Sequence, residues 1–293
     1  MLEALANRRC RVKYCVDVPN FGVWSDPKRF AEFAKQVEDA GWDAIPVWDH
    51  ILVWDGAEVA DPWVLLAAAA MTTERIRLMS LVTPIPRRHP WKLSRECVSV
   101  DLLSEGRLTL GVGIGWPTDP EFTRFHGETD LRKRADMLDE GLDILTGLWS
   151  GEPFGYQGAH YQLEEVTFLP RPVQRPRIPI WVAAMWPQRR PVRRAARWDG
   201  IAPITFDIRE NEFFEPTLEV LGEIADYVAD HRTGAEPFDF AFTGIFRPSG
   251  DLRQWHADLA ERGVTWWRYT WDPESGVEHE AWLADILKGP PRR

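Results

Sequence analysis

Apolar runs of strand length recur about every thirty residues along the chain, at 12–18, 44–48, 76–83, 108–114, 178–184, 200–204, 239–246 and 264–271. Between them, apolar positions fall at spacings of three and four, the period of a helix with one buried face. Phe30, Phe33, Ala34 and Val37 form the first stripe, with Ser25-Asp26-Pro27 as its start signal and Gly41 as its stop. Asp61-Pro62 opens a second helix and Pro90 a third, while Leu131, Ala135, Leu138, Leu142, Leu145 and Trp149 mark a fourth. Later stripes run through Phe214, Leu218, Leu221, Ala225 and Val228, then Leu252, Trp255 and Leu259, then Trp282, Leu283 and Ile286. Several helix-to-strand returns are alike: Ala40-Gly41-Trp42-Asp43, Glu105-Gly106-Arg107-Leu108 and Arg262-Gly263-Val264-Thr265. Glycine there takes the left-handed residue that ends a helix, and the strand follows at once.

Strands apolar on both faces suit a parallel sheet covered by helices. Eight alternating units within 293 residues fit a closed barrel better than an open doubly wound sheet, since no GxGxxG followed by an acidic residue occurs. The expected fold is therefore α/β, a (β/α)8 TIM barrel formed by one domain over 1–293. Residues 150–177 belong to no unit, and strand-like pieces at 154–156 and 160–163 predict a hairpin inserted between the fourth helix and fifth strand.

Composition narrows the function classes. A formal net charge of -10 opposes nucleic-acid binding, which needs clustered cations to displace counterions. Two arginine groups stand against that balance, Arg87 with Arg88, and Arg189, Arg190, Arg193, Arg194 and Arg197. No apolar window reaches membrane-spanning length and the first thirty residues hold no leader pattern, so a cytoplasmic location is expected. Cys10, Cys15 and Cys97 form neither a CxxC pair nor a metal-ligand spacing, which predicts idle thiols and no metal. Sixteen tryptophans exceed what one core needs, and some are expected to line an aromatic pocket.

In barrels of this kind the chemistry sits at the C-terminal ends of the strands. The second strand ends in Trp48-Asp49-His50 with Trp54 following, the third in Ser80-Leu81-Val82-Thr83-Pro84, and the fourth in Gly111-Val112-Gly113-Ile114-Gly115-Trp116. The fifth ends in Ala183-Ala184-Met185-Trp186. Glycines at 111, 113 and 115 admit two readings, close approach of a flat ligand or close approach of another backbone. Asp17, Asp49 and Glu121 are carboxylates that could converge, and Asp17, Asp49 and His50 would be the ligands of a metal hydrolase.

Taken in order, these pieces resemble the luciferase-like superfamily of flavin- and F420-dependent oxidoreductases. The likeness runs from about residue 12 to 204, through Ala40-Gly41-Trp42-Asp43, Asp49-His50, Asp61-Pro62, Thr83-Pro84 to His89-Pro90, Asp101 to Arg107, Leu110 to Trp116, and Ala195 to Gly200. The resemblance implies FMN or coenzyme F420, with Asp49, His50, Ser80, Leu81, Thr83, Ile114 and Gly115 around the ring. It places the phosphate near Ala184, Met185 and Trp186, where Arg189 or Arg190 is expected to grip it. It also implies a non-prolyl cis peptide at Ser80-Leu81, a small-molecule substrate, reduced cofactor from a separate reductase or dehydrogenase, and a homodimer. His50 is then the catalytic proton carrier, oriented by Asp49, with Trp54 and Trp116 shaping the substrate pocket. Sugar-oxidising F420 relatives carry an acid where this chain has Trp116, and many relatives carry two glycines where it has Met185-Trp186. A non-catalytic flavin-binding protein of the same superfamily is the alternative.

Overall fold

The computed structural model describes residues 12–207, 209–210, 212–214, 216–244, 252–270 and 278–291. Among them the strands are β1 (Lys13–Asp17), β2 (Ala44–Val47), β3 (Arg77–Pro84), β4 (Leu108–Gly113), β5 (Phe154–Gln157), β6 (Gln162–Val166), β7 (Ile180–Trp186), β8 (Gly200–Asp207), β9 (Glu212–Phe213), β10 (Asp239–Gly244) and β11 (Trp266–Thr270). The helices are α1 (Pro27–Asp39), α2 (Pro62–Thr72), α3 (Pro90–Leu103), α4 (Pro120–Thr123), α5 (Leu131–Trp149), α6 (Arg189–Ala195), α7 (Leu218–His231), α8 (Leu252–Glu261) and α9 (His279–Ile286). The strands run in the order β10-β11-β1-β2-β3-β4-β7-β8, and pairing of β8 with β10 closes the ring as a (β/α)8 barrel. The expected strand at 239–246 and the expected thiol Cys10 lie partly or wholly outside the described residues. Cys15 and Cys97 are buried free thiols. No helix among the described residues is long and apolar enough to cross a membrane.

By internal contacts the chain divides into two compact units. Of the described residues, one unit holds 12–18, Gln36–Pro46 and those from Ile180 onward; the other holds Pro19–Lys35 and Val47–Pro179. In the first unit β7 and β8 pair in parallel from Trp181↔Gly200 to Trp186↔Thr205, and β1 pairs with β11 from Lys13↔Trp266 to Asp17↔Thr270. Asp17 there receives Arg268 and, at 3.1 Å, the Thr270 hydroxyl, so its carboxylate is already paired.

In the second unit the start signals act as expected. Asp61 caps α2 by accepting Trp63 N at 2.8 Å, and Asp130 caps α5 by accepting Arg132 N at 2.7 Å. Arg107, at the return into β4, donates to Ser104 O, Ile76 O and Thr73 O, which joins the end of α2 to the start of β3 and β4. The inserted hairpin is β5 against β6, antiparallel, with Gln157 opposite Gln162. Its loop is held by Glu140 of α5, whose carboxylate accepts the amides of Ala159, His160 and Tyr161.

The β3–β4 ladder carries the feature that matters most for the site. Ser80 pairs with Leu110 and Thr83 with Val112, so β3 spends one more residue than β4 over this stretch. The extra residue makes a bulge. The non-prolyl cis peptide lies within it at Leu81-Val82, one bond later than the expected Ser80-Leu81. Gly111 faces this bulge, and a Cβ there would sit closer than 3.0 Å to Ser80 O and to the Leu81 side chain. Backbone approach, rather than a flat ligand, therefore accounts for Gly111. Gly111→Ala should lower unfolding free energy by about 2–3 kcal/mol, since a carbonyl of a paired strand cannot move aside. Urea denaturation checks it; a loss under about 0.5 kcal/mol would show that the bulge yields.

Candidate functional site

Val47 closes β2, and the chain leaves the strand through Trp48, Asp49 and His50. Asn20 holds that exit: its side chain donates to His50 O at 2.7 Å and to Ala60 O at 2.6 Å, and its oxygen accepts His50 N at 3.1 Å. One buried amide thus fixes both ends of the loop that carries Trp54. Nothing in the spacing of Asn20 announces this task, because its partners are backbone atoms some thirty and forty residues away.

Asp49 is buried, and its carboxylate meets two guanidinium groups. Arg87 donates to Oδ1 and to the Asp49 carbonyl, and Arg88 donates from Nη2 to Oδ1 at 2.9 Å and from Nε to Oδ2 at 3.1 Å. These arginines follow β3, in and just after a tight turn over Ile85–Arg87. Arg88 also lies 3.7 Å from Glu96 and 4.0 Å from Asp61. The expected partnership of Asp49 with His50 is therefore replaced. Asp49 spends its oxygens on arginines, as a buried carboxylate beside two guanidiniums must.

The residue that meets the imidazole is Glu121 on α4. Its Oε1 lies 3.2 Å from His50 Nδ1 and accepts Ile51 N at 2.7 Å and Leu52 N at 2.9 Å, while Oε2 faces Arg87. Sequence reading placed Glu121 among carboxylates that could converge and gave it no role; the pairing depends on how the segment after β4 folds back. Gly115 starts that return with φ of 78°, and the Phe122 ring lies against the place a Cβ would take. Gly115 is thus a turn and packing glycine. Arg134, fully buried on α5, stacks its guanidinium 3.5 Å above Phe122 and donates to Trp116 O and Glu128 O at 2.9 and 2.7 Å.

His50 keeps 37% of its side chain exposed. Burial of the rest, with the nearby Arg87 charge, lowers its pKa from 6.5, while Asp119 and Asp49 pull weakly the other way. Phe21 sits edge-on to His50, Trp48 and Trp54, with ring centroids 6.1, 6.1 and 5.6 Å away. Trp54 is 57% exposed, so the cluster presents an aromatic surface beside the imidazole. At the ends of β3 and β4, Ser80, Leu81 and Thr83 are buried, whereas Val82, Ile114, Gly115 and Trp116 are half-buried. Ser80 donates to Gly111 O at 3.2 Å. Thr83 Oγ1 is buried with no hydrogen-bond partner among the described residues.

The remaining expected residues lie in the other unit. Ala184 and Trp186 are buried and Met185 half-buried at the end of β7. Arg189 is exposed, with its guanidinium 4.0 Å from the Trp186 ring and 4.8 Å from Tyr227. Stacking on those rings fixes its direction. Among the described residues no group of three or more His, Cys, Asp or Glu is placed to hold a metal ion.

The sequence profile of the luciferase-like monooxygenases matches residues 16–223. An uncharacterised protein of Mycobacterium tuberculosis is 40% identical over 124 residues, 42% of this chain and 43% of that protein. The F420-dependent glucose-6-phosphate dehydrogenase of Amycolatopsis mediterranei is 29% identical over 180 residues, covering 60% of this chain and 52% of the relative. The oxygenase component of the flavin-dependent trigonelline monooxygenase of Acinetobacter baylyi is 32% identical over 127 residues, 43% and 35% of the two chains. The matches span about half or less of these relatives. Among solved structures, the monooxygenase RslO1 of Streptomyces bottropensis superposes with a TM-score of 0.66 at 26% identity, covering 86% of this chain and 77% of that one.

Asp49→Ala should cost about 3–5 kcal/mol, because it strands Arg87 and Arg88 without their shared buried partner. Thermal and urea unfolding of the purified variant measure this; a loss below about 1 kcal/mol would show that Glu121 and Glu96 suffice to neutralise both arginines.

Proposed function

The chain belongs to the luciferase-like monooxygenase family, and from that premise we propose that it is a two-electron oxidoreductase using FMN or coenzyme F420 on a small organic substrate. The observation that carries this reading is His50: a partly exposed imidazole just past β2, its backbone held by Asn20, its ring edge-on to Phe21 and Trp48 with Trp54 on the far side of Phe21, and its pKa lowered from 6.5. A neutral imidazole in an aromatic setting accepts or returns a proton at neutral pH without a charged neighbour having to rearrange.

The residues at the strand ends fit a conjugated ring. Val82, Ile114 and Trp116 are half-buried apolar residues at and just beyond the ends of β3 and β4, and in this reading they face the ring. Thr83 Oγ1 on the same strand end is a buried hydroxyl with an unmet hydrogen bond, a deficit worth about 1–3 kcal/mol to whatever group satisfies it. When bound, the cofactor supplies hydride transfer or oxygen activation. The protein's part is to orient substrate against Trp54 and Trp116, to keep water from the reacting centre with Phe21 and Trp48, and to move one proton at His50.

Titration of the apoprotein with FMN and with F420, followed by tryptophan fluorescence, should give saturable binding of one of them; binding of neither would overturn the reading. His50→Asn should keep affinity for that cofactor within a few-fold and lower kcat about 100-fold. The acid limb of kcat/KM should fall below pH 6.5, since a lowered pKa keeps the imidazole basic to lower pH. Unchanged turnover in His50→Asn would remove His50 from the chemistry.

A further inference from the structure

Glu121 has no contact with solvent, yet three donors converge on it. Ile51 N and Leu52 N give hydrogen bonds to Oε1, and the Arg87 guanidinium faces Oε2. Donors of this kind favour the charged form of a carboxyl group. An ionised carboxylate only accepts. His50 Nδ1, 3.2 Å from Oε1, must then carry the hydrogen between them, and in a neutral imidazole the lone pair falls to Nε2.

Glu121 is itself held in place. Asp119 caps α4 and accepts Glu121 N at 2.8 Å, and the neighbouring Phe122 is pinned between Gly115 and the buried guanidinium of Arg134. A carboxylate fixed on its backbone, its flank and its own oxygens leaves the imidazole one ring orientation in which Nδ1 meets it.

We infer that Glu121 is the positioning residue that sets His50 in its Nδ1–H tautomer and makes Nε2 the atom that exchanges the proton. The inference rests on the proposed role of His50 and adds what selects the working nitrogen. It also assigns a task to a residue outside the strand ends: Glu121 never touches the reacting atoms, and acts through the ring it holds. The charged groups around that ring divide the work, with Asp49 and Asp119 on the acidic side, Arg87 on the basic side, and Glu121 bonded to it.

Long-range 1H–15N spectra of protein labelled at histidine nitrogen, recorded without cofactor from about pH 5 to about pH 8.5, test it directly. His50→Asn identifies the resonances. In the wild type, His50 should show a protonated Nδ1 and a bare Nε2 above its pKa. Glu121→Ala should move the population to the Nε2–H form. Glu121→Gln, which keeps a carbonyl oxygen able to accept from Nδ1, should restore the Nδ1–H form. A wild-type imidazole protonated at Nε2, or a Glu121→Ala spectrum with the tautomer unchanged, overturns the inference. Should Glu121→Ala fail to fold, the wild-type tautomer alone decides, because an Nε2–H imidazole has nothing to donate from Nδ1. Turnover of His50→Asn bears only on the proton-carrier role, so failure of that reading and failure of this one are separate results.

Discussion

Two buried carboxylates, Asp49 and Glu121, share the guanidinium of Arg87, and the end of β2 takes its shape from that sharing. Charges removed from water are tolerated only when paired and hydrogen-bonded. Each partner comes from a different piece of chain: the exit of β2, the turn after β3, and α4 beyond β4. Removing any one weakens the pairing of the other two, so the three segments are coupled in stability. His50 is adjacent in sequence to one carboxylate and hydrogen-bonded to the other, and inherits its position from both.

The same network explains why the basic residues near the site do not mark a phosphate. Arg87 and Arg88 are the obvious cations in the sequence here, yet their donors go to Asp49, Glu121 and Glu96. Arg189 is held differently, by the faces of Trp186 and Tyr227, which orient a guanidinium without neutralising it. Of the arginines set apart in the sequence, Arg189 is stacked on aromatic rings, and the paired Arg87 and Arg88 have become scaffold.

Much of the fold was legible because it follows from local rules. Alternation of apolar runs with helical stripes gave the eight units, Asp61 and Asp130 stand at helix starts where their side chains cap, and Gly41, Gly106 and Gly263 hold positive φ at the returns. The site was legible only in part. His50 could be found because barrel geometry selects the residue that ends a strand. Its partner could not, since residues 115–128 fold back by tertiary contacts, Arg134 on Phe122 and Phe122 on Gly115, that leave no periodic trace. Adjacency pointed to Asp49, but neighbours along an extended exit face opposite ways, and the nearer carboxylate in space sits 71 residues away.

That distinction also sorts the segments on which the family resemblance stood. Asp101 accepts Val173 N and Gln174 N, Arg107 binds carbonyls at a strand entry, and Asp61 caps a helix, so these carry no chemistry. Gly111 answers to the β3 bulge, and Gly115 to Phe122. Among the described residues around His50, those left for chemistry are the imidazole, the aromatic surface beside it, the Thr83 hydroxyl and the half-buried ends of two strands. That set fits a reaction in which a bound cofactor carries the electrons and the protein supplies a surface, a direction and one proton.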